Sequence, residues 1–127
     1  MKKVISVALM ILFLVTSFVF AAQKTKIAVA ANDKIPAAEV SKQAGFAPFF
    51  LLFDEKGKMT EAIVNPYKDK MGAGQSMAEL LGNKGVNVLV AAEWGGQIGE
   101  VLKGKGIKAF AFKGSAEEAV KKVLQPK

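Results

Sequence analysis

The residues of this chain that can do chemistry fall in three short stretches: Asn32-Asp33, Gly72-Ala73-Gly74-Gln75-Ser76 and Glu93-Trp94-Gly95-Gly96-Gln97. Each follows a strand-like run or leads into a helix-like one. Gly72 and Gly74 let backbone N–H groups converge ahead of a helix N-terminus, an arrangement that favours anions. Gly95 and Gly96 offer the same before the next helix. Trp94 is the only tryptophan; it can stack on a ligand, wall a pocket or cap the core. Asp33 and Glu93 are potential acceptors or hard-metal ligands. Gln43 adds an amide from a separate loop.

What is missing narrows the chemistry. The sequence has no Cys and no His. Without His, a Ser–His triad is impossible. Without Cys, no thiolate can ligate an iron–sulfur cluster. Asp33, Glu79 and Glu93 could imitate a carboxylate pair or triad around two hard divalent ions, but Glu79 has a competing role as a helix cap. Met59, Met71 and Met77 raise soft-metal binding; their spacing lacks a clustered repeat, and they read as core or gap filling. The net charge of +7 is carried by Lys alone. Arg normally supplies bidentate phosphate and base contacts, so no nucleic-acid partner is expected. The lysines are scattered along the sequence and read as a solvated basic surface, with weak attraction to anionic ligands or membrane surfaces left open.

The elements that must position these residues are legible from apolar patterning. Lys26 to Ala31 is a near-continuous apolar run, as for a central strand buried on both faces. Phe49 to Phe53 and Met59 to Val64 flank Asp54-Glu55-Lys56-Gly57 and read as a hairpin, with Gly57 supplying a positive φ. Val86 to Ala91 and Ile107 to Phe112 are two further strands. Ser76-Met77-Ala78-Glu79 and Ser115-Ala116-Glu117-Glu118 both fit capping boxes. A helix near Gln97 to Lys103 lies between the last two strands. The order β-β-β-α-β-α-β-α gives an α/β domain of three layers, a mixed sheet with helices on its faces. Lys26–Ala31 and Val86–Ala91 are expected to be adjacent and parallel in its middle.

Residues 1–22 read as a signal peptide, with an uncleaved anchor as the alternative. Lys2-Lys3 form a basic start, Val4 to Ala22 is uncharged, and Val19-Phe20-Ala21 offers small residues for cleavage after Ala21. The domain, residues 23–127, is then periplasmic or secreted, in a bacterium, with membrane association if the leader is retained.

The ordered motifs resemble the dinitrogenase iron–molybdenum cofactor-binding family. They are Val40-Ser41, Gly45, Ala47-Pro48, Phe50-Leu51 and Asp54, then Asn65-Pro66, Gly72-x-Gly74, Ala91, Gly95 and Gly106-Ile107-Lys108. The resemblance spans Lys26 to Leu124. It implies a five-stranded sheet with a ribonuclease H-like arrangement. It also implies a role in carrying or assembling an iron–molybdenum or iron–sulfur type cofactor, with the glycine-rich rim as the cluster side. Two features depart from the family pattern. Many relatives carry His where this chain has Gln43, and some use His or Cys near Glu93. Nitrogenase cofactor assembly is also cytoplasmic work.

The reading is a non-enzymatic exported domain that binds a metallocofactor or small anionic ligand. Alternatives are a metal-dependent hydrolase of ribonuclease H-like type and an interaction module without a small ligand. Asn32, Asp33, Gln43, Gly72, Gly74, Gln75, Ser76, Glu93, Trp94, Gly95, Gly96 and Gln97 are the expected binding residues, with no catalytic or metal-ligating set. Bulky substitutions at Gly74 and Gly95 are expected to block binding and spare the fold.

Overall fold

The computed structural model describes residues 24–95 and 97–126. The leader lies outside them, as does Gly96. Eight elements follow in order: β1 (Ile27–Ala31), β2 (Phe49–Phe53), β3 (Met59–Val64), α1 (Ala73–Asn83), β4 (Val88–Ala91), α2 (Ile98–Gly104), β5 (Lys108–Ala111) and α3 (Ala116–Leu124). They form one five-stranded sheet in the order β3-β2-β1-β4-β5. β1 pairs antiparallel with β2 and parallel with β4, and β4 pairs parallel with β5. The expected central pair is therefore present, and the α/β class holds.

Strand alternation builds two cores from one sheet. Ala28, Ala30, Phe50, Leu52 and Leu89 face α1 and α2, where Met77, Leu81 and Leu102 complete the layer. Ile27, Val29, Leu51, Phe53 and Val90 face the other way and meet Ala116, Ala119 and Val120 of α3. Every residue of β1 is fully buried, which accounts for its unbroken apolar run. Its three alanines keep the central strand slim between two helical layers. β3 and β5 are the edges and are largely exposed. Both cores lie within residues 24–126, and no buried side-chain polar atom there lacks a partner.

Local signals hold at most turns. Gly57 closes the β2–β3 hairpin with φ 83°. The Asp54 carboxylate accepts from the N–H groups of Lys56 and Lys58, both at 2.9 Å. Gly85 (φ 82°) follows the end of α1. Ser115 caps α3 as expected: its hydroxyl accepts from Glu118 N–H, and the Glu118 carboxylate accepts from Ser115 N–H at 3.1 Å.

The other capping box is a correction. α1 starts at Ala73 with Gly72 at its N-cap position, four residues before the expected cap Ser76, and no side chain caps it. Gly72, at φ 74°, lets the chain turn directly into the helix. Ser76 therefore sits in the first turn, where its N–H closes the first helical bond, to Gly72 O at 3.2 Å. Glu79 is an exposed mid-helix residue.

The surviving box has a pH signature. The Ser115 backbone N–H, followed by its hydroxyl, holds the Glu118 carboxyl below its ordinary value of 4.5. A lowered folded-state pKa contributes stability that is complete above the unfolded value and is lost as pH falls through the folded one. Urea unfolding of the wild type and Glu118→Gln should therefore give midpoints that differ at pH 7 and converge as the pH falls through the lowered folded-state value. A gap that widens on acidification would contradict the assignment.

Candidate functional site

Helix α1, the end of β4 and two loops enclose a cleft of about 690 Å³ at the carboxyl ends of the parallel strands. Open α/β sheets present ligand sites at this edge. The first loop leaves β1, crosses toward α3, and returns as Ser41-Lys42-Gln43 beside the end of β4. Ala92 N–H donates to Ser41 O at 2.9 Å and Glu93 N–H to Lys42 O at 2.8 Å. That pairing sets Gln43 next to Glu93, and both line the cleft. Lys42 and Glu93 form a loose, solvent-exposed ion pair at 4.0 Å.

The opposite wall depends on Asn65, which is only 3% exposed. Its amide donates to Gly45 O at 3.1 Å and Ala47 O at 2.9 Å, and its side-chain oxygen accepts from Tyr67 N–H at 2.9 Å. One side chain thus fastens the Gly45–Ala47 loop to the turn leading into Lys68-Asp69-Lys70-Met71. The Asn65-Pro66 motif is a strap for the cleft and contributes no ligand-facing group itself.

At the floor, the N–H groups of Ala73, Gly74 and Gln75 precede the first helical bond and have no side-chain cap. The helix N-terminus therefore presents donors and the positive end of its dipole to the cleft side. No acidic residue occupies its first turn. Lys68 and Lys70 line the cleft, opposed by Asp69 and Glu93. Trp94 serves two purposes. Its ring packs on the α1–α2 core and lines the cleft, while its indole N–H donates to Phe110 O at 3.0 Å. The ring is held as a fixed apolar wall.

The cleft gathers Gln43, Gly72, Gly74, Glu93, Trp94 and Gly95 from the expected set. Gln75 and Ser76 lie in the first turn of α1, outside the lining, and Gln97 directly precedes Ile98, which does line it. Asn32 and Asp33 stay away from it. Their turn is tied by Asn32 N–H to Glu39 O and by Lys34 N–H to the Asp33 carboxylate, on the route toward α3. α2 has seven residues and an αR residue at its cap, so the donor geometry rests on α1.

Gly74 also packs against α2: a Cβ there would lie 2.5 Å from Ile98 Cδ1, so a substitution requires the end of that side chain to shift. Gly95 has nothing within 4 Å of the equivalent point and is the position where bulk tests the cleft alone.

Sequence reading missed Phe46, Lys68, Lys70 and Met71 as lining residues. Phe46 is 62% exposed and Met71 fully so. The assignment of Met71 to core filling is thereby corrected: Met77 is core, whereas Met71 stands in solvent at the mouth.

The donor set does not suit a cluster ligated by protein thiolates or imidazoles, which the sequence lacks. Among the described residues no three Asp or Glu side chains gather as a metal site either. What the cleft offers is N–H donors, two lysines countered by Asp69 and Glu93, and apolar walls.

Among functionally curated proteins none matches this chain. Solved structures do. The apo form of the orange protein from Desulfovibrio gigas superposes with a TM-score of 0.73 at 26% identity, over 81% of this chain and 90% of that one. A NifB-like Thermotoga protein gives 0.67 at 30% identity, over 78% and 86%. The family model described as dinitrogenase iron-molybdenum cofactor matches residues 23–126. The chain therefore belongs to the dinitrogenase iron-molybdenum cofactor family.

Proposed function

We propose that this protein is an exported, non-catalytic carrier that holds a preformed anionic metallocofactor, or another small anion, in the cleft between α1, β4 and the Gly45–Ala47 loop. The observation that carries the reading is the uncapped start of α1 beside Lys68, Lys70 and the Trp94 wall. Backbone N–H groups at a helix start bind anions without needing protein-derived metal ligands. Family membership points to cofactor-related binding. The absence of Cys and His points away from building a cluster on the protein and toward carrying one already made. The basic start, uncharged run and Val19-x-Ala21 exit support export.

Protein purified from its native host tests both parts. Intact mass should show a chain beginning near Ala22, recovered outside the cytoplasm. Metal analysis should find metal with inorganic sulfide or another ligand, released on denaturation as an anionic species. A full-length cytoplasmic product would contradict export. Metal-dependent phosphoester hydrolysis lost on neutralising Asp33 or Glu93 would replace the carrier with a hydrolase.

A further inference from the structure

The lysines that are scattered along the sequence gather in the fold. The three parallel strands begin, and all three helices end, at the end of the domain that carries the β2–β3 turn. Lys26 Nζ donates to Lys84 O at 2.7 Å, joining β1 to the end of α1. Lys108 N–H donates to Asn87 O at 2.9 Å, joining β5 to β4. Lys24 lies 3.9 Å from Glu55 in the hairpin turn. Around these contacts Lys56, Lys58, Lys105, Lys108, Lys121 and Lys122 are exposed.

The carboxylates at this hairpin end are already engaged. Asp54 accepts two backbone N–H groups, Glu55 faces Lys24, and Glu61 pairs with Lys84 at 2.9 Å. Among the described residues, none of the six exposed lysines just named has a salt-bridge partner. At the cleft end the signs are mixed: Asp33, Glu39, Asp69, Glu93, Glu100 and Glu117 are exposed there alongside Lys34, Lys42, Lys68, Lys70 and Lys113. Helix α1 runs from one end to the other, about 16 Å at 1.5 Å per residue.

Helix dipoles explain part of this separation. Glu100, Glu117 and Glu118 sit in first turns, and Lys103, Lys121 and Lys122 in last turns. They do not explain Lys56 and Lys58 on a hairpin, or Lys108 at a strand start. The excess charge forms a surface.

We propose that the hairpin end is a docking surface for anionic lipid headgroups, which holds the domain with its cleft directed away from the bilayer. Lysine is a point-charge donor suited to a diffuse anionic surface, and the arginine fork that reads nucleic-acid phosphates and bases is absent. The described chain enters the fold at this same end, through Lys24 and Lys26, which add to the basic face. This inference rests on charge placement and is independent of what the cleft holds.

Vesicle co-sedimentation of the chain starting at Ala22 tests it. The protein should pellet with phosphatidylcholine vesicles containing phosphatidylglycerol and stay in the supernatant with phosphatidylcholine alone. Raising salt from about 50 to about 300 mM should release it. Lys108→Glu with Lys122→Glu should weaken binding at least about tenfold. Lys34→Glu with Lys113→Glu, the same charge change at the cleft end, should weaken it less than about threefold. Circular dichroism confirms that both variants fold. Equal losses in the two variants, or binding to neutral vesicles that salt does not reverse, would overturn the assignment. So would tight duplex DNA binding in place of lipid binding.

Discussion

Replacing Asn65 with alanine should cost about 2–4 kcal/mol of stability and abolish ligand response in the cleft. Asn65 is buried and makes three side-chain hydrogen bonds, two to the Gly45–Ala47 loop and one from Tyr67 N–H. Each such bond is worth roughly 1 kcal/mol net, and stranding its buried partners adds to the loss. The structural consequence is local. The loop that carries Phe46 loses its tie to the segment that carries Lys68 to Met71. Urea unfolding should show a lower midpoint with an unchanged slope. Asn65→Asp keeps the acceptor for Tyr67 but sets carboxylate oxygens against two carbonyls, so it should be no better. A change below about 0.5 kcal/mol in either variant would mean that Asn65 does not fasten the cleft.

The second large effect is electrostatic. Lys68→Glu with Lys70→Glu should weaken binding of an anionic cluster by about a thousandfold while leaving thermal stability nearly unchanged. Both side chains line the cleft and both residues are exposed. A unit charge about 8 Å from an anion at a partly solvated site is worth about 1 kcal/mol, and reversal both removes the attraction and adds a repulsion. Salt should reduce wild-type affinity as well. Equal affinity in the double variant would place the ligand elsewhere.

The fold was largely readable from sequence because its signals are redundant. β1 is apolar throughout and fully buried, the hairpin has Gly57, and α3 has a reciprocal cap. α1 misled because Ser76 and Glu79 mimic a capping box, while the true start uses the positive φ of Gly72. Nothing in local spacing distinguishes a helix that begins at a glycine from one that begins four residues later. The cleft was half readable. Gln43, Gly72 and Glu93 to Gly95 were visible as loops at strand or helix ends. Asn32 and Asp33 also follow a central strand, but their turn leads to the α3 side. Lys68, Lys70 and Met71 were hidden because their placement depends on a tertiary strap, Asn65, about twenty residues from its loop partners. The lysine-rich end was hidden for the same reason: residues far apart in sequence meet where strands begin and helices end.

The central claim is that the cleft carries a preformed anionic group and does not capture free metal. Trp94 reports on it directly, since its ring lines the cleft and no second tryptophan contributes. Its fluorescence should be followed while the protein is titrated with a thiolate-ligated synthetic iron–sulfur cluster, with molybdate, and with ferrous and zinc ions. A carrier of anionic cargo gives saturable quenching with the cluster, a weaker response to molybdate and none with the free cations. Gly95→Trp is unsuitable because it adds a fluorophore, so Gly95→Leu supplies the blocked form, in which quenching is lost and the unfolding midpoint is retained. Tight response to zinc or iron, or cluster quenching that survives both Gly95→Leu and the Lys68/Lys70 reversal, would contradict the claim.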